Sequence, residues 1–275
     1  MCIRDRVFIG NHPTCNTGNY GVCASPYEGR EAIDRMRVIL DPAQATLVQT
    51  VAAANPKTIV VLVSSFPIGI GSIPGSVPAI VHVSNSSQEL GTAIADVLFG
   101  DYNPAGRTTM TWYASETDIP TAVGDYDIRK GTTYWYFAGT PLYPFGHGLS
   151  YSAFTYSNIT LSATSLSAAS TAPCSVEVSL DVTNGGRAGD EVVQLYLAYP
   201  GSALPRPRQQ LRGFRRLTFA AGQTQHVSFA LGAADLRYWD AANQKFAVEA
   251  GRTVEVQVGA SSGDIRARAM LSVTP

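Results

Sequence analysis

An acidic loop near the start of the chain holds the residues best suited to proton-transfer chemistry. The polar segment 11–34 follows an apolar run and contains Glu28 and Glu31 within SPYEGREAIDR. A carboxyl group acts as a general acid or base when it lies within hydrogen-bonding reach of a reacting group. From their spacing alone, the two glutamates are also typical of carboxylates solvated on a loop. Both interpretations are open at this point.

Isolated histidines and a serine are the next candidates. His12 and His147 lie in loops, where a lone histidine is either a substrate contact or a structural residue. Ser65 follows the apolar run 59–63, and ligands bind at strand ends in open α/β sheets. We therefore take His12, Ser65 and His147 as candidate substrate-binding residues.

The cysteines do not predict a metal site. Cys15 and Cys23 flank a polar loop and either close it as a disulfide or remain thiols. Zinc sites need four ligands, usually from closely spaced cysteine pairs or histidine clusters, and this sequence has neither. We predict neither a metal nor a cofactor.

Length, charge and hydropathy restrict the class of protein. A chain of 275 residues is expected to form about two domains. Its net charge of −1 gives no electrostatic reason to bind nucleic acid, and no apolar run reaches the roughly 18 residues of a membrane span. The start, MCIRDR, has no apolar signal-peptide core and leads directly into a strand-like run. We therefore expect a truncated start.

Apolar, β-branched runs separated by helical periodicity mark the first part of the chain. Such runs are typical of strands buried on both faces of a parallel sheet. We predict these strands at residues 7–10, 59–63, 79–83 and 108–112.

Two helices are predicted between these strands. The first begins at Asp41-Pro42, with Asp as N-cap and Pro at the first helical position, and ends at Asn55-Pro56. The second runs from a cap at Ser86 or Ser87 through Leu98. These serines either cap the helix or bind a ligand at the sheet edge. The β-α-β-α-β order predicts an α/β sandwich with a mostly parallel sheet.

The patterning changes in the second half. Residues 115–153 lack regular periodicity apart from a short strand-like run at 132–137, and such long loops are usually functional or packed on another surface. Alternating apolar and polar residues then predict roughly seven short strands and an all-β sandwich. The predicted domains are an α/β sandwich at 7–114, an aromatic wrapping linker at 115–153 and the β-sandwich at 154–275.

Several segments resemble one known family. Residues 141–151, PLYPFGHGLSY, combine aromatic, proline and glycine residues without a regular period. They resemble a signature of glycoside hydrolase family 3, the β-glucosidases and β-xylosidases. Further segments are similar to blocks of that family in the same order: IADVLFGDYNPAGR (94–107), DYDIRKGTTYWYF (125–137), GDEVVQLYL (189–197) and LRGFRRLTFAAGQT (211–224).

The resemblance implies a C-terminal fragment of a retaining β-glycosidase, with a partial second α/β domain and an immunoglobulin- or fibronectin-III-like domain. Retaining glycosidases need two carboxyl groups about 5–5.5 Å apart. In this family the nucleophile is an Asp of an N-terminal (β/α)8 barrel, which needs about 250 residues of its own and is missing here. Glu31, three residues before Asp34-Arg35, is the first candidate for the acid/base, and Glu28 is the second. The fragment alone is expected to be inactive.

The same resemblance implies the partners and the location. The substrate would be a β-linked oligosaccharide or glycoside, and the missing barrel of the same chain would pack against this part. The family implies a secreted or periplasmic protein. An alternative function is a non-catalytic module that binds carbohydrate or protein, or that only braces the enzyme.

Overall fold

The computed structural model describes residues 5–11, 38–71, 73–86, 88–119, 122, 124–169 and 174–275. Glu28, Glu31, His12, Cys15 and Cys23 lie outside the described residues. The chain forms two compact units that alternate along the sequence. The first unit contains Met1–Asp101, Thr111–Lys130 and Ala138–Tyr143, and the second contains Tyr102–Met110, Gly131–Phe137 and Pro144–Pro275.

The first unit is an α/β layer around a small parallel sheet. Three strands pair in parallel in the order β1-β2-β3, and their side chains pack with α1 in one core. The elements of this unit are β1 (Arg6–Gly10), α1 (Pro42–Ala54), β2 (Ile59–Val63), α2 (Ile73–Ser76), β3 (Ala79–Val83) and α3 (Leu90–Phe99). The predicted parallel sheet is confirmed with three strands.

Helix α1 follows the predicted start and end. The Asp41 carboxylate accepts hydrogen bonds from the backbone N–H groups of Ala43 at 2.8 Å and Gln44 at 3.4 Å. These bonds satisfy N–H groups that have no partner inside the helix. Val48 and Ala52, four residues apart, are buried against the sheet core.

Three local predictions were wrong. Helix α3 begins at Leu90, after Glu89, and Glu89 makes no side-chain capping bond; Ser86 therefore precedes the helix without capping it. The run predicted as a strand at 108–112 contains only an isolated bridge, because the Trp112 N–H bonds to the Tyr143 carbonyl instead of joining the sheet. The run at 132–137 forms a short helix, α4 (Thr133–Tyr136).

The second unit is a β-sandwich with an added hairpin. A five-stranded sheet in the order β5-β13-β12-β7-β8 packs against a three-stranded sheet, β4-β6-β9, and β10 pairs with β11. Its strands are β4 (Phe154–Leu161), β5 (Ser165–Ser167), β6 (Ser175–Asn184), β7 (Gly189–Ala198), β8 (Gln210–Phe219), β9 (Thr224–Gly232), β10 (Tyr238–Asp240), β11 (Lys245–Ala247), β12 (Arg252–Ser261) and β13 (Asp264–Thr274).

Alternation decides which side chains enter the sandwich core. On β7, Val193, Leu195 and Leu197 are almost fully buried in the core between the sheets. The predicted all-β sandwich after the α/β layer is thus confirmed. The domain limits 7–114, 115–153 and 154–275 stay a prediction. Within the described residues, no helix is both long and apolar enough to cross a membrane.

Candidate active site

The carboxyl ends of the three parallel strands form the edge where the candidate residues of the first unit begin. Gly10 is paired with Val63, and Val63 with Val83, so all three strands end at the same level. Asn11 and Ser65 lie just beyond the ends of β1 and β2. In an open α/β sheet this edge is the usual position of a ligand site.

An asparagine links two of these strand ends. Asn85, shortly after β3, donates from Nδ2 to the Asn11 carbonyl at 3.4 Å and to the Ser65 Oγ at 3.2 Å. The Asn11 N–H in turn donates to the Val63 carbonyl at 3.1 Å. Ser65, a predicted substrate-binding residue, is exposed here beside Asn85.

Gly10 is held closely at the end of β1. The Gln44 side chain forms two bonds to it: the Gly10 N–H donates to Oε1 at 2.8 Å, and Nε2 donates to the Gly10 carbonyl at 2.9 Å. A Cβ at Gly10 would lie 1.8 Å from the Val63 carbonyl oxygen, and its φ of +150° also favours glycine. The segment that carries Glu28 and Glu31 therefore begins from a fixed strand end.

The residues just before α1 are hydrogen-bonded to the loop after β2. The Leu40 N–H donates to the Gly69 carbonyl at 3.0 Å, and Ile39 forms a parallel bridge with Gly69. These bonds tie the residues just before α1 to the β2–α2 loop. They involve backbone atoms only, so side-chain patterns in the sequence did not predict them.

His82 is a residue of this edge that the sequence analysis did not identify. Its Nε2 lies 3.0 Å from the Ser64 carbonyl, so the ring carries its proton on Nε2 when it donates this bond. Its ring meets the buried Trp112 edge to face, with centroids 4.8 Å apart. Although His82 keeps part of its surface exposed, partial desolvation of its ring lowers the pKa, and the bond to the Ser64 carbonyl opposes this. The signal in the sequence was a single histidine inside an apolar strand.

His147 belongs to the second unit. It lies in residues 141–151, PLYPFGHGLSY, called the signature segment from here on. Its backbone is paired with Thr108: the Thr108 N–H donates to the His147 carbonyl at 2.7 Å, and the His147 N–H donates to Thr108 Oγ1 at 2.9 Å. Burial lowers the pKa of the His147 imidazole, the positive charge of Arg107 lowers it further, and the Asp264 carboxylate opposes both. The contacts described for His147 support a structural position.

A buried ion pair joins Arg107, next to Thr108, to strand β7 of the sandwich. Arg107 Nη2 lies 3.0 Å from Glu191 Oε2, with side-chain exposures of 8% and 3%. The Tyr156 hydroxyl donates to the other oxygen, Oε1, at 2.9 Å. Burial raises the pKa of Tyr156, and the Glu191 charge raises it further. Each oxygen of the Glu191 carboxylate thus has a buried partner, which favours a structural role over proton transfer.

Asn103 organises the end of the signature segment. Its Oδ1 accepts from Ser150 Oγ at 2.9 Å and from the Tyr151 N–H at 2.8 Å. Its Nδ2 donates to Ser152 Oγ and to the Ala188 carbonyl, both at 3.2 Å. These four bonds use the full hydrogen-bonding capacity of the amide. They place the segment against the start of β7.

The outer face of β7 is covered by α4 and by the signature segment 141–151. Gln194 Nε2 donates to the Gly146 carbonyl at 3.1 Å, and the Tyr196 hydroxyl donates to Gln194 Oε1. The Tyr134 ring, from α4, stacks on Phe145 with centroids 4.3 Å apart. Gln194 and Tyr196 are almost completely buried. The short helix α4 (Thr133–Tyr136) places Tyr134 against this sheet.

The two predicted binding residues that the structure describes belong to different units. Ser65 lies at the carboxyl edge of the first unit, with Asn11 and Asn85 close by, and His147 lies in the second unit. Glu31, Glu28 and His12 lie outside the described residues. Among the residues that the structure describes, no group of three His, Cys, Asp or Glu side chains comes close enough together to hold a metal ion.

Two family models match the chain. The glycosyl hydrolase family 3 C-terminal domain matches residues 7–151, and the fibronectin type III-like domain matches residues 191–262. The first match covers the parallel sheet, its carboxyl edge and the signature segment. The second runs from β7 to the end of β12.

Curated relatives agree with these matches. The probable β-glucosidase L of Aspergillus terreus is 39% identical over 243 residues, which cover 80% of this chain and 33% of the relative. The β-xylosidase of Formosa agariphila is 35% identical over 256 residues, covering 92% of this chain and 33% of the relative. The chain therefore spans about a third of the length of these relatives.

The fold also matches a solved enzyme. The crystal structure of the β-D-glucoside glucohydrolase from Trichoderma reesei superposes with a TM-score of 0.83 at 36% sequence identity, covering 98% of this chain and 40% of that one. The similarity therefore includes both the α/β layer and the β-sandwich. By sequence and by fold, this chain belongs to glycosyl hydrolase family 3, of which it contains the C-terminal domain and the fibronectin type III-like domain.

Proposed function

We propose that this chain is the C-terminal part of a retaining β-glycosidase that hydrolyses terminal β-linked glucose or xylose. The proposal is supported by relatives described as a β-glucosidase and a β-xylosidase. The intact enzyme would combine this part with an N-terminal (β/α)8 barrel of the same chain, which supplies the Asp nucleophile. It acts outside the cytoplasm, as a secreted or periplasmic protein, and needs no cofactor because two carboxyl groups perform the reaction.

The observation that carries the proposal is the carboxyl edge of the parallel sheet. The acidic segment starts at Asn11, whose carbonyl is held by Asn85 next to the exposed Ser65. We assign Glu31 as the acid/base, with Glu28 as the second candidate. A glutamate in this role protonates the leaving oxygen and then activates water.

Substrate binding is assigned to the remaining candidates of the sequence analysis. Ser65 has the position that suits this role best, since its hydroxyl is exposed at the sheet edge. His12 directly follows Asn11 in the sequence, so it begins the acidic segment. His147 is retained as the third binding residue, although its described contacts are those of a structural position.

A bracing role for the β-sandwich is the second candidate function. Asn103 and Tyr134 favour it, because each contacts both the signature segment and the sandwich. Asn103 accepts from the Tyr151 N–H and donates to the Ala188 carbonyl just before β7. Tyr134 stacks on Phe145 and accepts from the Leu211 N–H of β8. In this reading the sandwich stabilises the enzyme and does not itself bind carbohydrate.

A chimaera tests the enzymatic proposal. This chain would replace the matching C-terminal region of the A. terreus relative, and hydrolysis of aryl β-glucosides and β-xylosides would be measured. The chimaera is expected to be active and the 275-residue chain alone inactive. Turnover by the pure chain, lost on Glu31→Gln, would contradict the proposed division of the two carboxyl groups.

The matched variants Glu31→Gln and Glu28→Gln assign the acid/base. Loss of the acid/base is expected to lower kcat/KM for poor leaving groups by about 10²–10⁴-fold. An activated aryl glycoside should then stall as the covalent intermediate, and azide should restore its turnover because azide needs no base. If Glu28→Gln shows this behaviour and Glu31→Gln does not, the order of the two candidates is wrong. If neither does, the acid/base lies elsewhere.

A further inference from the structure

Two segments of the chain have the Asn-x-Ser/Thr pattern of an acceptor for N-linked glycans. They are Asn85-Ser86-Ser87 in the first unit and Asn158-Ile159-Thr160 in the second. The pattern is short and recurs by chance, so the sequence does not distinguish them. The surroundings of each amide nitrogen do.

The Asn85 side chain is half-buried and hydrogen-bonded to two neighbours. Its side-chain nitrogen donates to the Asn11 carbonyl and the Ser65 hydroxyl, at 3.4 and 3.2 Å. An amide nitrogen has two hydrogens, and a glycan replaces one of them. A sugar on Asn85 would therefore remove one of these bonds and occupy the carboxyl edge of the sheet.

Asn158 is the inserted residue of a β-bulge. Ser157 pairs with Asp181 and Thr160 pairs with Ser179, so two residues of β4 face one residue of β6. Before the bulge Phe154 and Tyr156 point inward, and after it Ile159 and Leu161 do. Because Asn158 is an inserted residue, the inward-facing positions shift by one, and apolar side chains face the core on both sides of the bulge.

The bulge also presents the Asn158 side chain to solvent. Asn158 is exposed and has a φ of +57°, a conformation that Asn adopts more readily than most residues. Its Nδ2 donates one hydrogen to Asp181 Oδ2 at 2.8 Å. A glycosylated amide keeps one N–H, so it retains the bond to Asp181 while the sugar extends into solvent.

We propose that Asn158 is an acceptor site for an N-linked glycan. The donor is a lipid-linked oligosaccharyl pyrophosphate of a secretory pathway. A bond forms between the anomeric carbon and Nδ2, the bond from that carbon to the pyrophosphate oxygen breaks, and Nδ2 loses a proton. The leaving group is the lipid pyrophosphate, and no oxidation or reduction takes place.

The test separates glycosylation from a purely structural role of Asn at positive φ. The full chain, behind a secretion signal, is translated with endoplasmic-reticulum microsomes, and its mobility is compared before and after endoglycosidase treatment. One endoglycosidase-sensitive shift is expected, lost in Asn158→Gln and in Thr160→Ala and kept in Thr160→Ser. Thr160→Ala leaves the bulge residue itself unchanged, so a loss there reports the acceptor pattern.

Each outcome of this test is decisive for Asn158. A wild-type chain without a shift overturns the proposal, as does a shift that persists in both Asn158→Gln and Thr160→Ala. Glycopeptide mapping of soluble chain secreted from yeast adds the contrast between the two sites. The expected result is a glycan on Asn158 and an unmodified Asn85, whereas a glycan on Asn85 alone overturns the assignment.

Discussion

Replacing Arg107 with methionine is expected to be among the most damaging single changes in the second unit. Arg107 and Glu191 form a 3.0 Å ion pair with side-chain exposures of only 8% and 3%. In Arg107→Met the Glu191 carboxylate would keep its bond from Tyr156 but lose its positive partner. A buried charge without a partner is strongly destabilising, because the fold no longer offsets its lost hydration.

The size of the effect follows from this burial. Breaking a buried pair by removing one partner costs about 3–5 kcal/mol. The second unit has roughly 150 residues, and at that size 1 kcal/mol shifts Tm by about 2–4 °C. Arg107→Met is therefore expected to lower the Tm of this unit by about 6–20 °C.

A surface pair of the same length provides the control. Arg268 Nη1 and Glu255 Oε1 are also 3.0 Å apart, but their side chains are 52% and 23% exposed. Exposed pairs contribute about 0–1 kcal/mol, so Arg268→Met should change the free energy of unfolding little. Both variants would be measured by calorimetry and urea unfolding of the full chain.

A double variant separates charge from packing. In Arg107→Met/Glu191→Gln the buried charge is gone, and the glutamine oxygen can still accept from Tyr156, so most of the lost stability should return. The reasoning would be refuted if Arg107→Met cost no more than Arg268→Met. It would also fail if the double variant were no more stable than Arg107→Met.

Three further predictions follow from the described contacts. The pKa of His147 is lowered below the ordinary 6.5 in the folded chain, so the unfolded chain binds a proton first and the free energy of unfolding should decline as pH falls below about 6.5. In urea titrations His147→Gln should weaken this decline, and an unchanged pH profile in the variant would contradict the prediction. A chain of residues 152–275 lacks Arg107 and leaves Glu191 without its ion-pair partner, so its urea midpoint should fall clearly below that of the full chain. Equal midpoints would show that the sandwich does not need the residues before 152 for its stability. Gly10→Ala places a Cβ 1.8 Å from the Val63 carbonyl oxygen and should destabilise the first unit by about 2 kcal/mol or more. Gly75→Ala should be tolerated, because a Cβ there would point into open space beside its own helix, and similar effects of both changes would rule out the close contact as the cause.

Local patterns were sufficient for the elements whose own residues determine them. The Asp41-Pro42 start of α1 was predicted because an Asp cap and a first-position proline satisfy the helix end locally. The apolar runs 59–63 and 79–83 were predicted as strands because continuous β-branched residues favour strands. The expected burial on both faces holds for β2, whereas no residue of β3 is fully buried. The signature at 141–151 identified the family, since its residue order is unusual.

Elements that depend on distant partners were predicted wrongly or not at all. The run 132–137 has the composition of a strand, yet it forms α4, where Tyr134 stacks on Phe145 and its hydroxyl accepts from the Leu211 N–H. His82 was not predicted as a residue of this edge, because its position depends on a hydrogen bond to the Ser64 carbonyl, just after the neighbouring strand β2.

The family, the fold class and the candidate residues could be predicted from the order of the amino acids, because these depend on local periodicity and on characteristic segments. The folded chain was needed to show that Arg107 pairs with Glu191, 84 residues away, and that Asn85 donates to both Asn11 and Ser65. No pattern in the sequence specifies such pairings. They arise because buried polar groups must find partners wherever the folded chain brings donor and acceptor together.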